Sequence, residues 1–166
     1  MNYLNGKGGQ IMPKRWTSDD TMLNCIAEDL LGMMSVFPKR LIRVDELIRT
    51  FGMPLSHIQI LVLLSEGDLS IGQISDRLGI AKPNITPLVD ALDGKGYVTR
   101  LRNGQDRRIV YVHMLEAGES CLREIRLAVI EQIKAWPPEL GANEAHKLDQ
   151  SLKNMKEIMS IMDQRN

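Results

Sequence analysis

The residues with chemistry to offer are concentrated between Ala81 and Arg108. Six cations fall there (Lys82, Lys95, Arg100, Arg102, Arg107 and Arg108) against three carboxylates, Asp90, Asp93 and Asp106. The whole chain balances 21 Lys and Arg with 21 Asp and Glu, so this segment's surplus of three is offset elsewhere. A basic stripe confined to one short segment is the electrostatic footprint of a surface that meets a polyanion. Bond-making chemistry has no comparable signature. There is no acid pair, no nucleophile placed beside a base and no phosphate-cradling glycine loop, so neither catalytic residues nor a cofactor is expected. His57, His113 and His146 share no ligand spacing with one another or with a cysteine, so no metal site is expected either. Cys25 and Cys121 are 96 positions apart and make no disulfide framework.

The elements that must position the basic segment are mostly helices. With 166 residues, 43% hydrophobic and 25% charged, the chain has the composition of a globular domain. Its longest apolar run, Ile60 to Leu64, is far short of the ~18–20 residues that span a bilayer. Lys7, Lys14 and Arg15 are followed by no apolar leader stretch, so no signal peptide and a cytoplasmic location are expected. Residues 1–16, with Gly6, Gly8 and Gly9, show no period and read as a flexible tail.

From Thr17, Met22, Leu23, Ile26, Leu30, Met33, Met34 and Phe37 recur at helical steps, behind the capping acids Asp19 and Asp20. Pro38 must kink or end this helix. A second apolar stretch follows, from Leu41 to Phe51, and one kinked helix or two separate ones both fit. Ser56 to Gln59 and Ser70 to Gln73 both read as capping boxes. Ile60 to Leu64, apolar on every side, predicts a central buried helix. After the second box, Ile71, Ile74 and Leu78 face inward and Gly79 suits a left-handed C-cap. Ile85, Leu88, Val89 and Leu92 form the buried face of the next helix, which ends at Gly94 or Gly96.

The period then changes. Tyr97–Arg102 and Ile109–Met114 read as two strands joined through Asn103-Gly104 and Asp106-Arg107-Arg108. Helix returns from Glu116 to Trp136, with Leu122, Ile125, Val129, Ile133 and Trp136 on one stripe, and Pro137-Pro138 stops it. A last helix runs from about Asn143 to Met162, with Leu148, Leu152, Met155, Ile158, Met159 and Met162 apolar. Two short capped helices, a third with a polar outer face and a tight hairpin make a winged helix-turn-helix. The expected fold is mainly α with a small β-wing. It divides into an N-terminal helical region (17–54), the winged domain (55–115) and C-terminal helices (116–166), the two flanking regions serving dimerisation. The apolar stripes of the flanking helices are too wide for one small core, and a symmetric homodimer would cover them.

Leu55-Ser56-His57-Ile58-Gln59, Ala81 to Asp90, and the wing Asp106-Arg107-Arg108 followed by Glu116-Ala117-Gly118 resemble, in order, the motifs of the MarR (multiple antibiotic resistance) regulators. Two departures stand out. Leu115 replaces the family's usual threonine before the post-wing helix, and Ala81 replaces the usual serine cap of the recognition helix, so both helices lose a side-chain cap. Pro87 either kinks that helix or falls in a first turn that begins near Asn84.

The resemblance implies a transcriptional repressor that binds a pseudo-palindromic operator in double-stranded DNA. Lys82, Pro83, Asn84, Thr86 and Pro87 on the probe helix, with Arg107 and Arg108 on the wing, are the expected DNA contacts. Asp106 is expected to orient an arginine, and Asp90 to do the same. The resemblance also implies a small aromatic or lipophilic effector, for which Met33, Met34, Phe37 and His57 are the candidate pocket. The alternative for the ten methionines is flexible core filling. Some members of the family sense peroxides through an early cysteine. Cys25 is early, but no cation adjoins it in sequence to lower its pKa, and packing is the role expected of it. A winged helix serving only as a protein-binding module is the alternative from another class; the basic wing argues against it.

Overall fold

The computed structural model describes residues 20–102, 110–137 and 139–163, with the side chains of 20, 35–40, 102 and 163 outside that description. The chain divides into two compact units, Met1–Arg40 and Leu41–Asn166. Within the first, α1 spans Asp20–Arg40. Pro38 lies in its last turn and does not break it; the break comes at 41–43, so two helices form here. A proline near a C-terminus removes only one amide bond, and the residue it restricts is already close to the end.

The second unit begins with α2 (Val44–Phe51), closed by Gly52 at φ 59°, a left-handed position that glycine occupies without strain. Helix α3 (Leu55–Leu64) corrects the first expected capping box. Its N-cap is Pro54, in extended backbone, and Ser56 is already inside the helix, so no side-chain cap forms. The Pro54 carbonyl accepts instead from the amides of His57 and Ile58, at 3.0 and 3.4 Å. Ile60 and Leu61 are fully buried and Leu64 nearly so, but Val62 is 46% exposed, so α3 is buried on most sides and not on all.

The second capping box forms as expected. Ser70 Oγ accepts the Gln73 amide at 3.2 Å, and Gln73 Oε1 accepts the Ser70 amide at 2.8 Å, starting α4 (Ile71–Leu78). Gly79, left-handed at φ 63°, ends it, and the Ser75 hydroxyl donates to the Ile80 carbonyl at 2.7 Å across the turn. Helix α5 (Lys82–Gly94) follows three residues later and packs Ile85, Val89 and Leu92 fully into the core. A short strand missing from the sequence-based expectation, β1 (Leu69–Ser70), joins β2 (Val98–Arg102) and β3 (Val110–Met114) in an antiparallel sheet of order β1-β3-β2. Leu69 pairs with Val112, which ties the residue before the α4 cap to the wing.

Helix α6 (Glu116–Lys134) starts without a side-chain cap, as Leu115 predicts. Its inward face differs from expectation at the far end: Gln132 is buried and Ile133 is 43% exposed. Helix α7 (Ala142–Asp163) completes the unit. Among the described residues no single helix is long and apolar enough to cross a membrane.

Gly118 fixes how closely α6 approaches the sheet. A Cβ there would overlap the Tyr97 carbonyl oxygen and lie 3.0 Å from Met114 Cγ. That same carbonyl accepts the Leu115 amide at 2.9 Å, so it cannot swing aside. Gly118→Ala is expected to destabilise the fold by about 1–3 kcal/mol despite alanine's better helix propensity, because overpacking against backbone relaxes poorly. Urea unfolding checks this; an unchanged or raised midpoint would show that the helix can shift.

Candidate nucleic-acid interface

The interface is built outward from the buried face of α5. With Ile85 and Val89 anchored, Lys82, Pro83, Asn84, Thr86 and Pro87 are all exposed on the first turns of the same helix. The structure thus brings the five expected probe residues together on one helix. The helix begins at Lys82 and runs on through Pro87, so the proline is interior and does not lie in the first turn. Its missing amide removes the bond that would have reached the Pro83 carbonyl. The start of α5 is held by the Ala81 carbonyl, which accepts the Asn84 amide at 2.8 Å and the Ile85 amide at 3.3 Å. The side chain of Lys82 reaches back over the start of α4: a Cβ on Gly72 would lie 3.4 Å from both its Cε and its Nζ.

Arg100, on β2, braces the sheet against the probe helix. Its Nη2 lies 2.6 Å from Asp90 Oδ1 and donates to the Thr86 carbonyl at 3.3 Å. The expectation that Asp90 orients an arginine therefore finds its partner in Arg100. Both side chains are partly exposed, so the pair contributes at most about 1 kcal/mol to stability, and its consequence is alignment. Asp106, Arg107 and Arg108 lie outside the described residues.

Three side chains from three elements, α4, β3 and α6, hold the loop that leads into β1. Arg77 meets Glu66 at 2.9 Å, His113 Nδ1 meets Asp68 Oδ1 at 2.7 Å, and Arg126 donates to Ser65 Oγ at 3.4 Å. Through Ser70 this loop sets the start of α4, whose connection at 79–81 leads into α5. No sequence pattern announces these pairs, because each spans a long separation in the chain.

Met33 and Met34 are exposed on α1, in the first unit, while His57 is buried on α3 in the second. The Phe37 side chain lies outside the described residues. Met155, Met159 and Met162 are also exposed within this single chain, so core filling is not their role here. Cys25, expected to pack, is exposed as well. Cys121 is buried, and burial pushes its thiol pKa up, with a hydrogen bond to the Tyr97 hydroxyl acting the other way. It remains an unreactive thiol at neutral pH. Among the described residues no cluster of His, Cys, Asp or Glu could hold a metal.

His57 Nδ1 is buried without a hydrogen-bond partner. Burial, followed by the charge of Lys95, holds its pKa below the ordinary imidazole value. The unfolded chain therefore binds this proton more readily than the folded one. The stability contribution is complete above the unfolded pKa of ~6.5 and is lost as pH falls toward the lower folded value. The wild type is expected to lose stability more steeply than His57→Leu between neutral and mildly acidic pH. Urea titrations across that range would give parallel pH profiles if His57 played no part.

The family model for the MarR family matches residues 51–109, which run from the end of α2 into the wing. The HTH-type transcriptional regulator FarR of Neisseria gonorrhoeae is 30% identical over 101 residues, covering 60% of this chain and 69% of its own length. The uncharacterised HTH-type transcriptional regulator YpoP of Bacillus subtilis (strain 168) is 40% identical over 62 residues, 37% of this chain and 44% of its own length. The chain covers less than half the length of several such curated relatives. The solved structure of a MarR family protein from Bacillus stearothermophilus superposes with a TM-score of 0.68 at 22% identity, covering 87% of this chain and 99% of that one, a likeness of fold.

Proposed function

The chain belongs to the MarR family, and from that premise we propose that it is a sequence-specific double-stranded DNA-binding transcriptional regulator acting as a homodimer in the cytoplasm. The observation that carries this is α5: Lys82, Pro83, Asn84, Thr86 and Pro87 are open to solvent while Ile85 and Val89 lock the same turns into the core. In a winged helix-turn-helix, the helix in this position, anchored on one face and open on the other, is the major-groove probe. Lys82 neutralises a phosphate, the Asn84 amide matches the two-point edge of adenine, and Thr86 reads a base or packs on a thymine methyl. The proline rings of Pro83 and Pro87 offer apolar contact and no donor. On the wing, Arg107 and Arg108 meet phosphates or enter a narrow minor groove, with Asp106 orienting them.

The operator is a pseudo-palindrome and the regulator a repressor, released when a small aromatic or lipophilic effector binds. Such an effector acts only through its differential affinity for the two states, typically ~1–3 kcal/mol. The chain catalyses no reaction of its own. Anisotropy titration of a palindromic duplex at several salt concentrations tests the proposal. Arg108→Ala is expected to flatten the log–log salt dependence by about one unit if that cation meets a phosphate. Unchanged slope and affinity would remove Arg108 from the interface, and absence of any salt-dependent DNA binding by the wild type would overturn the function.

A further inference from the structure

We infer that Gln132 is a positioning residue, a clamp that sets where the two probe helices of the dimer stand relative to each other. This rests on the dimeric DNA-binding function proposed above. Gln132 sits in the last turn of α6 and is buried at 8% exposure, while its neighbours Ile130 and Ile133 are open to solvent. Its amide closes on both backbone groups of one residue 89 positions away. Oε1 accepts the Arg43 N–H at 2.8 Å, and Nε2 donates to the Arg43 carbonyl at 3.4 Å.

Arg43 is the N-cap of α2 and has no side-chain cap hydrogen bond. Its carbonyl also accepts the amides of Glu46 and Leu47, at 3.1 and 3.3 Å, so the clamp grips the residue from which α2 starts. The chain passes from one compact unit to the other between Arg40 and Leu41, and Leu41–Arg43 is the whole connection from α1 to α2. The residue that holds the end of this connection lies on the helix that leads, through residues 135–141, to α7. Along the chain, Arg43 stands three positions after the end of α1 and Gln132 ten positions before the start of α7, the two helices whose exposed apolar residues supply the proposed dimer interface. A primary amide bonded to both backbone groups resists sliding and rotation alike, which an apolar contact does not. Burial of an amide is unfavourable unless it is paired in this way.

The test compares the full-length protein with Gln132→Met, which keeps length and loses both bonds, and Gln132→Glu, which keeps the acceptor for the Arg43 N–H. Spin labels at Asp93→Cys, exposed on α5, in a Cys25→Ser background report the distance between the probe helices of the two copies. The wild type is expected to give one narrow distance distribution, Gln132→Met a broad one and Gln132→Glu an intermediate width. Discrimination between duplexes whose half-sites differ in spacing should fall by about tenfold or more in Gln132→Met, because simultaneous engagement depends on geometry. Binding to a single half-site, which needs no such alignment, should stay unchanged. Equally narrow distributions in all three proteins would overturn the clamp while leaving DNA binding intact. A wild type that shows no interspin coupling, or binds no duplex, would overturn the dimeric function and the clamp with it.

Discussion

Ending the chain at Trp136 is expected to leave a monomer that binds a two-half-site duplex about 10²–10⁴-fold more weakly than the full chain, through loss of linked engagement. The truncation removes α7, where Leu152 and Met155 are 37% and 38% exposed, Ile158 and Met159 both 59%, and Met162 65%. These residues recur at three- and four-residue steps and share one stripe. An apolar stripe of this kind suits an interaction surface, and the occupant proposed above, a second copy of the chain, would also give a two-fold DNA reader. Among the described residues the buried apolar core runs from Leu47 to Ile125 and includes none of α7. The truncated protein should therefore keep a cooperative unfolding transition. Sedimentation at micromolar concentration measures the first part, and a full-length protein that sediments as a monomer would contradict it.

Asn84→Ala is expected to relax base preference at one position of each half-site, by about 1–3 kcal/mol, while leaving the salt dependence alone. Thr86→Ala should do the same at a neighbouring position. Neither side chain supports the fold: both are exposed, and the one side-chain bond of Thr86 here, to the Lys82 carbonyl, is long at 3.5 Å. Their loss should thus appear in specificity and not in stability. Lys82→Ala has the opposite signature, a uniform loss across sequences with a shallower salt slope. Titrating each variant against duplexes carrying single base changes separates the two classes. Identical preference profiles for wild type and Asn84→Ala would take Asn84 out of base recognition.

The fold was legible wherever local rules and burial agreed. Ser70 with Gln73, Gly79 as a left-handed cap and the inward face at Ile85, Val89 and Leu92 all follow from short-range pattern, and all appear as expected. Local rules failed where a neighbour outbid them. Ser56 has the spacing of a cap, but Pro54 already holds the extended backbone that an N-cap needs, and the helix starts behind it. Two-residue β1 is too short to show a period and exists because Leu69 finds Val112. Gln132 fits the α6 stripe seven residues after Ile125, yet a polar residue there is invisible to an apolar count. Its partner is backbone, far away in sequence. On the interface, the cations were legible as composition, and Arg100 needed the structure to become a brace between β2 and α5.

Two copies of α5 are expected to enter successive major grooves of one operator, related by two-fold symmetry. The most direct measurement tethers a DNA-cleaving iron chelate to Asp93→Cys on α5 in a Cys25→Ser background, with the buried Cys121 left in place. The duplex is one enriched by the wild type from a random library, and cleavage is mapped on both strands. Two symmetric clusters are expected, centred about one helical turn, ~34 Å, apart on one side of the duplex. A single cluster, or cleavage scattered without symmetry on a duplex the protein still binds, would contradict it.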